Sequence, residues 1–327
     1  MSGTHPLAGT VAIAVMGKAP RPGRAKTRLC PPLEPHECAQ MAAAFLRDVT
    51  ANVALASTGR APVHGYVAYA PAGEEALLES LVAPGTRLVL ADGTGGEAPG
   101  VEGFGRCLLH ATRALFERGY GAVCVLNADS PTLPTALLRR AARALLAAAP
   151  GGGGGGGGRE RAVLGPAEDG GYYLLGTTSP RARLYAGVDW STERVAAQTR
   201  ERAAEDGVEL LGLPAWYDVD DRAALVRLAG EVAAARAGGE VAGGADAVLA
   251  PHPAPATAAC MARLGLAARL LGAPAAASPP IESARALGHL AGASAGGGRR
   301  AAAPPPAAGP ARATAGTVVA RLGDATT

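Results

Sequence analysis

The sequence predicts an α/β fold in which a mainly parallel, twisted sheet is flanked by helices. Residues 11–15 and residues 122–126 form two short, wholly apolar runs, as expected for strands that helices cover on both faces. Around these runs, strand-like segments alternate along the chain with segments whose apolar residues recur at helical spacing. Such alternation is typical of a parallel sheet, which binds its ligands at the carboxyl ends of its strands.

Each element is predicted from its local pattern. Pro71 closes an alternating strand that begins at residue 63, and a Gly-rich loop at residues 92–105 leads into a helix. A run of eight glycines is incompatible with regular structure, so we expect a flexible surface insertion over residues 150–158. Strands are predicted at residues 11–15, 63–70, 87–91, 122–126, 162–164 and 208–213. Helices are predicted at residues 34–56, 74–82, 106–118, 135–149, 191–206 and 222–236.

The aromatic residues mark the extent of the predicted domain. All seven Tyr, three Phe and two Trp lie between Phe45 and Tyr217, whereas Ala, Gly, Pro and Arg dominate the sequence beyond them. Because such a composition offers little large apolar surface to bury, it favours disorder over a packed core. We therefore expect one domain at residues 8–236, followed by a disordered tail at residues 237–327.

Charge, cysteine content and hydropathy argue against several classes of protein. Residues 1–229 contain 23 basic and 23 acidic side chains, a balance that does not suit a nucleic-acid-binding surface. The five cysteines are odd in number and form no Cys-x-x-Cys pair, which fits a reducing cytoplasm better than a disulfide framework or a structural zinc site. No apolar run reaches the ~18 residues of a transmembrane helix, and the N-terminus has no signal-peptide pattern. We expect a cytoplasmic protein without a membrane span.

A basic loop follows the first apolar run. It contains Lys18 and Lys26, the only lysines of the chain, although arginine fills every other basic position. Because a lysine ammonium is a compact point charge that suits phosphate oxygens, this usage predicts a phosphate-binding loop. A solvated basic loop without a partner is the alternative. The spacing matches neither a P-loop nor the dinucleotide-binding G-x-G-x-x-G pattern. The candidate nucleotide-binding residues are Lys18, Gly23, Arg24, Lys26, Thr27 and Arg28, of which Lys26 is also a candidate catalytic residue.

Asp129 and Asp220 are the candidate metal ligands. Asp129 lies in the NADSPTLP segment at the end of the second apolar run, where its carboxylate is expected to face the basic loop. Mg²⁺ and Mn²⁺ favour hard oxygen ligands, so a carboxylate at this position is suited to a metal that bridges a diphosphate. A cap of the next turn is the alternative for Asp129. Asp218 and Asp220 alternate along an extended segment and point the same way, and for Asp220 a metal ligand and a helix cap both remain open. Asp221 is expected to cap the last helix.

Glu168 and Asp169 are the candidate general bases. Two glycines follow them, so the backbone can approach a ligand closely, and a carboxylate could accept the proton of an acceptor hydroxyl. An ordinary tight turn between two strands is the alternative, since Asp-Gly-Gly is common in such turns.

Five segments together resemble a bacterial family of transferases. They are KAPRPGRAKTRL, NADSPTLP, GPAEDGGYYLLG, the Trp-Ser-Thr triplet at residues 190–192 and WYDVD, and they occur in the order found in that family. Its members have a glycosyltransferase-A (GT-A), nucleotide-diphospho-sugar transferase-like fold, which is Rossmann-like, and are often described as arsenosugar-biosynthesis-type glycosyltransferases. The resemblance extends over residues 10–230 and does not include the tail.

The resemblance implies a metal-dependent glycosyltransferase that moves a sugar from a nucleotide-sugar to a small acceptor. The expected cofactor is Mg²⁺ or Mn²⁺. A more distant similarity, through the Lys-Thr-Arg-Leu loop and the late Asp-x-Asp, links the chain to nucleotidyltransferases such as phospholactate guanylyltransferase. It implies an alternative reaction in which a nucleoside triphosphate is the donor and pyrophosphate leaves. By position, the resemblance implies phosphate contacts for Lys18, Arg24, Lys26 and Arg28, a metal on Asp129 with Asp220 as a second ligand, and an acceptor facing Asp169 and its neighbours.

Overall fold

The computed structural model describes residues 6–148, 160–236 and 249–271. The predicted insertion at residues 150–158 and most of the predicted tail lie outside the described residues. Within these three ranges, no helix has the length and apolar character needed to cross a bilayer.

One seven-stranded sheet organises the described part of the chain. Its strands are β1 (Val11–Gly17), β2 (Val63–Tyr69), β3 (Arg87–Leu90), β4 (Ala122–Asn127), β5 (Arg161–Pro166), β6 (Tyr172–Thr177) and β7 (Glu209–Gly212). They lie side by side in the order β3-β2-β1-β4-β6-β5-β7. Every strand runs parallel to β1 except β6, which pairs antiparallel with both β4 and β5. The prediction of a mainly parallel sheet flanked by helices is confirmed.

Eight α-helices connect or follow the strands in the described residues. They are α1 (Pro35–Ala56), α2 (Glu75–Leu81), α3 (Phe104–Glu117), α4 (Thr135–Ala148), α5 (Val195–Glu205), α6 (Arg222–Arg236), α7 (Pro255–Arg263) and α8 (Leu266–Leu271). The first six lie within two or three residues of their predicted positions at most ends. The largest difference is at α5, which starts four residues later than its predicted start at residue 191.

Strand β1, beside the middle strand β4, is buried on both faces, as its apolar run predicts. Val11, Ile13 and Val15 contribute to the core on the face covered by α1 and α4. Ala12 and Ala14 contribute to the core on the opposite face, which α3 and α5 cover. The period of two between the faces is the geometry of a strand, and burial on both sides explains why the run contains no polar residue.

Strands β5 and β6 form a hairpin, and β6 is absent from the predicted strands. The turn at residues 167–171 contains Gly170 at φ +89°, and Asp169 Oδ1 accepts a hydrogen bond from the amide of Gly171 at 2.8 Å. This is the tight turn that was the alternative for the Glu168–Asp169 segment. The run YYLLG is short and uniformly apolar, so its sequence lacks the alternation by which a strand is recognised.

The structure differs from the predicted disordered tail over residues 249–271. Helices α7 and α8 pack against α1 and α6 and bury Cys260, Met261 and Leu266. The two carboxylate oxygens of Asp48, which lies in α1, accept the backbone N–H groups of Ala256 at 3.0 Å and Thr257 at 2.6 Å. Asp48 therefore caps the start of α7 from a position 208 residues earlier in the chain. The tail was predicted to be disordered from its local composition, which cannot reveal a helix cap provided by a distant residue such as Asp48.

Candidate functional site

The ends of three parallel strands bring the candidate residues to one rim of the sheet. Strand β1 ends at Gly17, β4 at Asn127 and β5 at Pro166. Strands β1 and β4 are direct neighbours, with Met16 beside Asn127. The basic loop after β1 and the segment that carries Asp129 after β4 therefore start side by side, at the edge where parallel sheets bind ligands.

The side chain of Lys26 joins the basic loop to both candidate metal ligands. Its Nζ lies 2.7 Å from Asp129 Oδ1 and 2.5 Å from Asp220 Oδ1, and it donates to the carbonyl oxygen of Val219 at 3.0 Å. The ring centroid of Phe45 lies 5.8 Å from the same Nζ. The ammonium has three donors and finds three acceptors, so its hydrogen-bonding capacity is fully used.

Burial and ion pairing act in opposite directions on Lys26. The side chain is only 8% exposed. Burial lowers the pKa of Lys26, but the carboxylates of Asp129 and Asp220 outweigh this effect and hold the pKa above its ordinary value. Lys26 is therefore a fixed positive charge. Its backbone has a φ of 50°, in the left-handed region that a residue with a side chain seldom adopts, and such conformations concentrate at functional sites.

An extended segment at residues 216–220 carries Asp220 to this rim. Trp216 forms a parallel bridge with Ala167, directly after β5. Three residues later, the amide of Val219 donates to the carbonyl oxygen of Asp129 at 2.9 Å. The segment is therefore held between the ends of β4 and β5, and these backbone contacts fix Asp220 opposite Lys26.

Asp218 belongs to the same cluster, although it is not among the candidate ligands chosen from the sequence. Partial burial, together with the carboxylates of Asp169, Asp220 and Asp129, raises the pKa of Asp218 to about 6. Four carboxylates and the ammonium of Lys26 thus share one part of the rim. The alternation of Asp218 with Asp220 in an extended segment was the sequence signal that could have identified it.

Three cations of the basic loop are exposed and available to a ligand. They are Lys18, Arg24 and Arg28, and within the described ranges no hydrogen bond or ion pair engages their side chains. Arg21 differs from them, because its guanidinium binds Glu74 through two hydrogen bonds of 3.0 Å and 2.6 Å. The loop therefore separates one buried, fully paired cation from three exposed and unpaired ones.

The remaining two candidates of the basic loop lie at its surface. Gly23 has a φ of +73°, and a Cβ at this position would meet no atom within 4 Å. Thr27 is exposed and begins a short 3₁₀ helix, Thr27–Leu29. The structure places both residues beside the exposed cations, and neither contacts the Lys26 ammonium.

A cavity of about 310 Å³ lies at the same edge of the sheet, after β3 and before α3. The thiol of Cys107 lies beside the cavity. Burial and the charge of Asp92 raise the pKa of this thiol, while the charge of Lys18 lowers it. The cavity is therefore close to the part of the basic loop that carries Lys18. Its lining residues are Asp92, Gly93, Thr94, Glu97, Gly103 and Arg106.

The two candidate general bases differ in their surroundings. Glu168 forms an ion pair with Arg227 of α6, with N–O distances of 2.9 Å and 3.1 Å. Asp169 accepts one hydrogen bond, from the amide of Gly171, and its charge raises the pKa of Asp218. Asp169 is thus exposed, without a cationic partner among the described residues, and adjacent to the carboxylate cluster, whereas Glu168 is paired away from it.

The donor set is chemically suited to a hard divalent cation. Asp129 and Asp220 each use one oxygen on Lys26 and remain 36% and 41% exposed. Burial contributes most to the raised pKa of Asp218, and the nearby carboxylates of Asp169, Asp220 and Asp129 raise it further. No group of three or more His, Cys, Asp or Glu side chains in the described part of the chain is already arranged around a metal position. Mg²⁺ commonly takes only one or two carboxylates together with substrate phosphates and water, so Asp129 and Asp220 would satisfy its protein share.

One buried acceptor next to this site has no donor. Asn127 Oδ1 is inaccessible to solvent and has no hydrogen-bond partner among the described residues, although its Nδ2 donates to Ser130 Oγ at 3.2 Å. Asn127 is the last residue of β4, two positions before Asp129. An unpaired polar atom at the end of a strand that carries a candidate ligand is consistent with a site for a polar ligand.

Comparison with solved structures shows that the described part of the chain has a nucleotide-diphospho-sugar transferase-like α/β fold. A protein from Desulfovibrio desulfuricans G20, provisionally named a nucleotide-diphospho-sugar transferase, has a solved structure that matches with a TM-score of 0.58. The match has 23% sequence identity and covers 79% of this chain and 96% of the other chain. At this identity the match shows the shared fold.

Two further solved structures match at lower similarity. A nucleotidyl transferase from Methanothermobacter thermautotroptrophicus matches with a TM-score of 0.37 and 20% identity, and covers 67% of this chain and 94% of its own. A CMP:2-keto-3-deoxy-manno-octonic acid synthetase in complex with CTP matches with a TM-score of 0.39 and 12% identity, and covers 67% and 96%.

One protein family matches part of the sequence. The family described as "Uncharacterized protein conserved in bacteria (DUF2064)" matches residues 53–192. This segment includes Asp129, Glu168 and Asp169 but neither Lys26 nor Asp220. No curated protein matches the chain. The D. desulfuricans structure confirms the nucleotide-diphospho-sugar transferase-like fold that the resemblance implied.

Proposed function

We propose that this protein is a metal-dependent transferase that moves a sugar from a nucleotide-sugar donor to a small acceptor. The observation that carries the proposal is the buried ammonium of Lys26 between Asp129 and Asp220. It brings a carboxylate pair and a basic loop together at the ligand-binding edge of the sheet. A transferase of this class needs both parts, because a diphosphate has to be bound and its developing charge stabilised as it leaves.

The exposed cations of the basic loop are the proposed diphosphate-binding residues. Lys18, Arg24 and Arg28 form no hydrogen bond or ion pair within the described residues, so no existing ion pair has to break when phosphate oxygens arrive. Gly23 and Thr27 lie among these cations. The backbone of Gly23, which has no Cβ, and the hydroxyl of Thr27 can both approach the same phosphate oxygens. The 310 Å³ cavity on the Lys18 side is the proposed position of the nucleoside part of the donor.

Asp129 and Asp220 are the residues that would hold Mg²⁺ or Mn²⁺, with Asp218 beside them. When bound, the metal would neutralise the charge that develops on the departing nucleoside diphosphate. Lys26 has a positioning role in this proposal. It holds one oxygen of each aspartate and keeps two carboxylates close together that would otherwise repel each other.

Asp169 is the proposed general base for the acceptor hydroxyl. It is the exposed carboxylate of the hairpin turn, next to Asp218 and free of a cationic partner among the described residues. Glu168 was an equal candidate from the sequence, but its ion pair with Arg227 makes it less available for proton transfer. We therefore assign Glu168 a role in holding the hairpin against α6.

The D. desulfuricans protein supports the proposal through its shared fold and its name, which refers to a nucleotide-diphospho-sugar. The experiment that tests the proposal incubates the purified protein with Mn²⁺ or Mg²⁺ and panels of nucleotide-sugars and nucleoside triphosphates. Mass spectrometry then identifies the donor consumed and the product released. Metal-dependent release of a nucleoside diphosphate from a nucleotide-sugar is the expected result. The variant Asp129→Asn, which keeps the side-chain shape, is the matched control and should be inactive.

Two other outcomes would replace this proposal. Release of pyrophosphate from a nucleoside triphosphate would identify a nucleotidyltransferase, the alternative implied by the Lys-Thr-Arg-Leu loop. Thermal stabilisation by a nucleotide, without turnover of any donor, would indicate a protein that binds nucleotides without catalysing transfer. If no nucleotide is bound or consumed with either metal, the proposal is wrong.

A further inference from the structure

A pair of cysteines lies directly after the basic loop, and its geometry differs from that of the other three cysteines. The sulfur atoms of Cys30 and Cys38 are 2.9 Å apart. A disulfide bond is about 2.05 Å long, so the two atoms are within ~0.9 Å of bonding distance. All five cysteines lie in the described ranges and are free, and no other two of them have sulfur atoms in contact.

The surroundings of the two thiols are unequal. Cys30 follows the 3₁₀ helix Thr27–Leu29 and is partly exposed, whereas Cys38 lies in the first turn of α1 and is fully buried. Burial and the adjacent Cys30 sulfur raise the pKa of the Cys38 thiol to about 12. A dissolved oxidant can therefore reach the partly exposed Cys30, whereas the buried Cys38 thiol is accessible only to the sulfur of Cys30 in the described part of the chain.

We propose that Cys30 and Cys38 form a reversible intramolecular disulfide that fastens the end of the basic loop to α1. The inference does not depend on the proposed function, because it uses only the position and chemistry of the two thiols. Its consequence concerns the loop: Lys26 and Arg28 lie within four residues of Cys30, so the cross-link restricts the segment that carries them.

The oxidation requires an acceptor for two electrons, and a small-molecule disulfide such as glutathione disulfide provides it. The Cys30 thiolate attacks one glutathione sulfur, which forms a mixed disulfide and releases the first glutathione as a thiolate. Cys38 then loses its proton, and its sulfur attacks Cys30 Sγ. The second glutathione leaves as a thiolate, and the two released thiolates take up the two protons. In total, two protein thiols are oxidised and one glutathione disulfide is reduced to two glutathiones.

The chain allows a direct test by mass spectrometry. No lysine or arginine lies between Leu29 and Arg47, so trypsin places both cysteines in one peptide. The reduced protein is incubated in buffers of increasing glutathione disulfide to glutathione ratio, quenched with acid and alkylated. The expected product is this peptide without alkylation and with two hydrogen atoms fewer, at ratios that leave Cys107, Cys124 and Cys260 alkylated.

Single variants separate the proposed disulfide from other oxidation products. Cys30→Ser should keep the thiol of Cys38 alkylatable at every ratio, and Cys38→Ser should leave Cys30 as a mixed disulfide with glutathione. Cys107→Ser is the matched control and should oxidise as the wild type does. The oxidised wild type should also have a higher Tm than the reduced protein, a difference that both single variants lose.

Two results would overturn the inference. In the first, both thiols remain alkylatable in excess glutathione disulfide while circular dichroism shows a native fold. In the second, the wild type accumulates glutathione on Cys30 and never resolves it, which would mean that Cys38 cannot reach Cys30.

Discussion

The Nζ atom of Lys26 lies 2.7 Å from Oδ1 of Asp129, and this ion pair connects the loops that follow the two central strands of the sheet. Lys26 is 8% exposed and Asp129 is 36% exposed, so the cation is buried and the anion is accessible. The buried ammonium of Lys26 thus pairs with one oxygen each of Asp129 and Asp220 and leaves their other oxygens free for a ligand. Its role is therefore different from that of the exposed cations in the same loop.

The first prediction compares the two lysines. Lys26→Met leaves Asp129 and Asp220 facing each other without the ammonium, so we expect both weaker nucleotide binding and a loss of stability on the order of 1–3 kcal/mol. Lys18→Met removes an exposed charge, so it should weaken nucleotide binding and leave the free energy of unfolding within about 0.5 kcal/mol of wild type. Urea unfolding and calorimetric titration measure the two quantities. Equal stability of both variants would contradict the structural role of Lys26.

The second prediction concerns the metal ligands. Asp129→Asn and Asp220→Asn keep the shape of each side chain but remove the charge that attracts a divalent cation, so Mn²⁺ should bind at least about tenfold more weakly. Electron paramagnetic resonance of free Mn²⁺ measures this affinity without a nucleotide.

Asp221→Asn is the matched control for these two variants. Asp221 neighbours Asp220, but its Oδ1 accepts the amide of Ala224 at 2.8 Å and so caps the start of α6, as expected from the sequence. Its replacement should leave Mn²⁺ affinity unchanged. If Asp129→Asn also binds Mn²⁺ as the wild type does, Asp129 is not a metal ligand.

The third prediction separates paired from unpaired arginines in the basic loop. Arg24→Gln removes an exposed cation that forms no hydrogen bond or ion pair within the described residues, although its charge helps to lower the pKa of Glu74, so nucleotide affinity should fall and its dependence on salt should become weaker. Arg21→Gln removes a cation already neutralised by Glu74, and its effect should be smaller. Titrations of each variant at several NaCl concentrations give the comparison. A larger effect from Arg21 than from Arg24 would show that the loop rearranges around the ligand.

The sheet could be predicted because its signals are local. The runs that became β1 and β4 are buried on both faces, and a short apolar sequence reports such burial directly. The rule that ligands bind at the carboxyl ends of parallel strands then brought Lys26 and Asp129 to one rim, and the structure does place them in contact.

Other features depend on pairings that the sequence does not reveal. Asp218 lies close to the other carboxylates because Trp216 forms a parallel β-bridge with Ala167, a residue distant from it in sequence. The pairing of Glu168 with Arg227 distinguishes it from Asp169, although both occupy the same motif. Neighbouring residues in a motif can therefore differ in role because one of them meets a side chain from another helix.

The fourth prediction tests the contribution of α7 to stability. A chain that ends at residue 248 loses the helices that cover Cys38, Met41 and Phe45, and it leaves the buried carboxylate of Asp48 without its amide partners. We expect this truncation to unfold at a clearly lower urea concentration or to be insoluble. A chain that ends at Leu271 keeps these contacts and is the matched control.

Asp48→Asn tests the cap itself. The substitution weakens two charge-assisted hydrogen bonds at the start of α7 and should cost about 1–2 kcal/mol. Equal stability of the two truncated chains would mean that residues 249–271 contribute nothing to the fold, and the role assigned to Asp48 would then be wrong.

The last prediction is a pH dependence that originates in the same C-terminal segment. His252 is 4% exposed; its amide donates to the carbonyl oxygen of Thr132 at 3.0 Å, and its ring Nδ1 lies 3.1 Å from the carbonyl oxygen of Pro131. Burial lowers the pKa of His252 by more than the Pro131 carbonyl and the charge of Asp48 together raise it. In the unfolded chain His252 binds a proton more readily than in the folded protein, so its neutral form stabilises the fold above the unfolded pKa of about 6.5. That stability is lost as pH falls below about 6.5 towards the folded pKa.

His252→Gln cannot titrate, so its free energy of unfolding, measured with urea from pH 7.5 to pH 5, should fall less steeply than that of the wild type. His36→Gln, which replaces an exposed histidine, is the matched control and should follow the wild type. Parallel curves for wild type and His252→Gln would show that His252 does not couple protonation to folding.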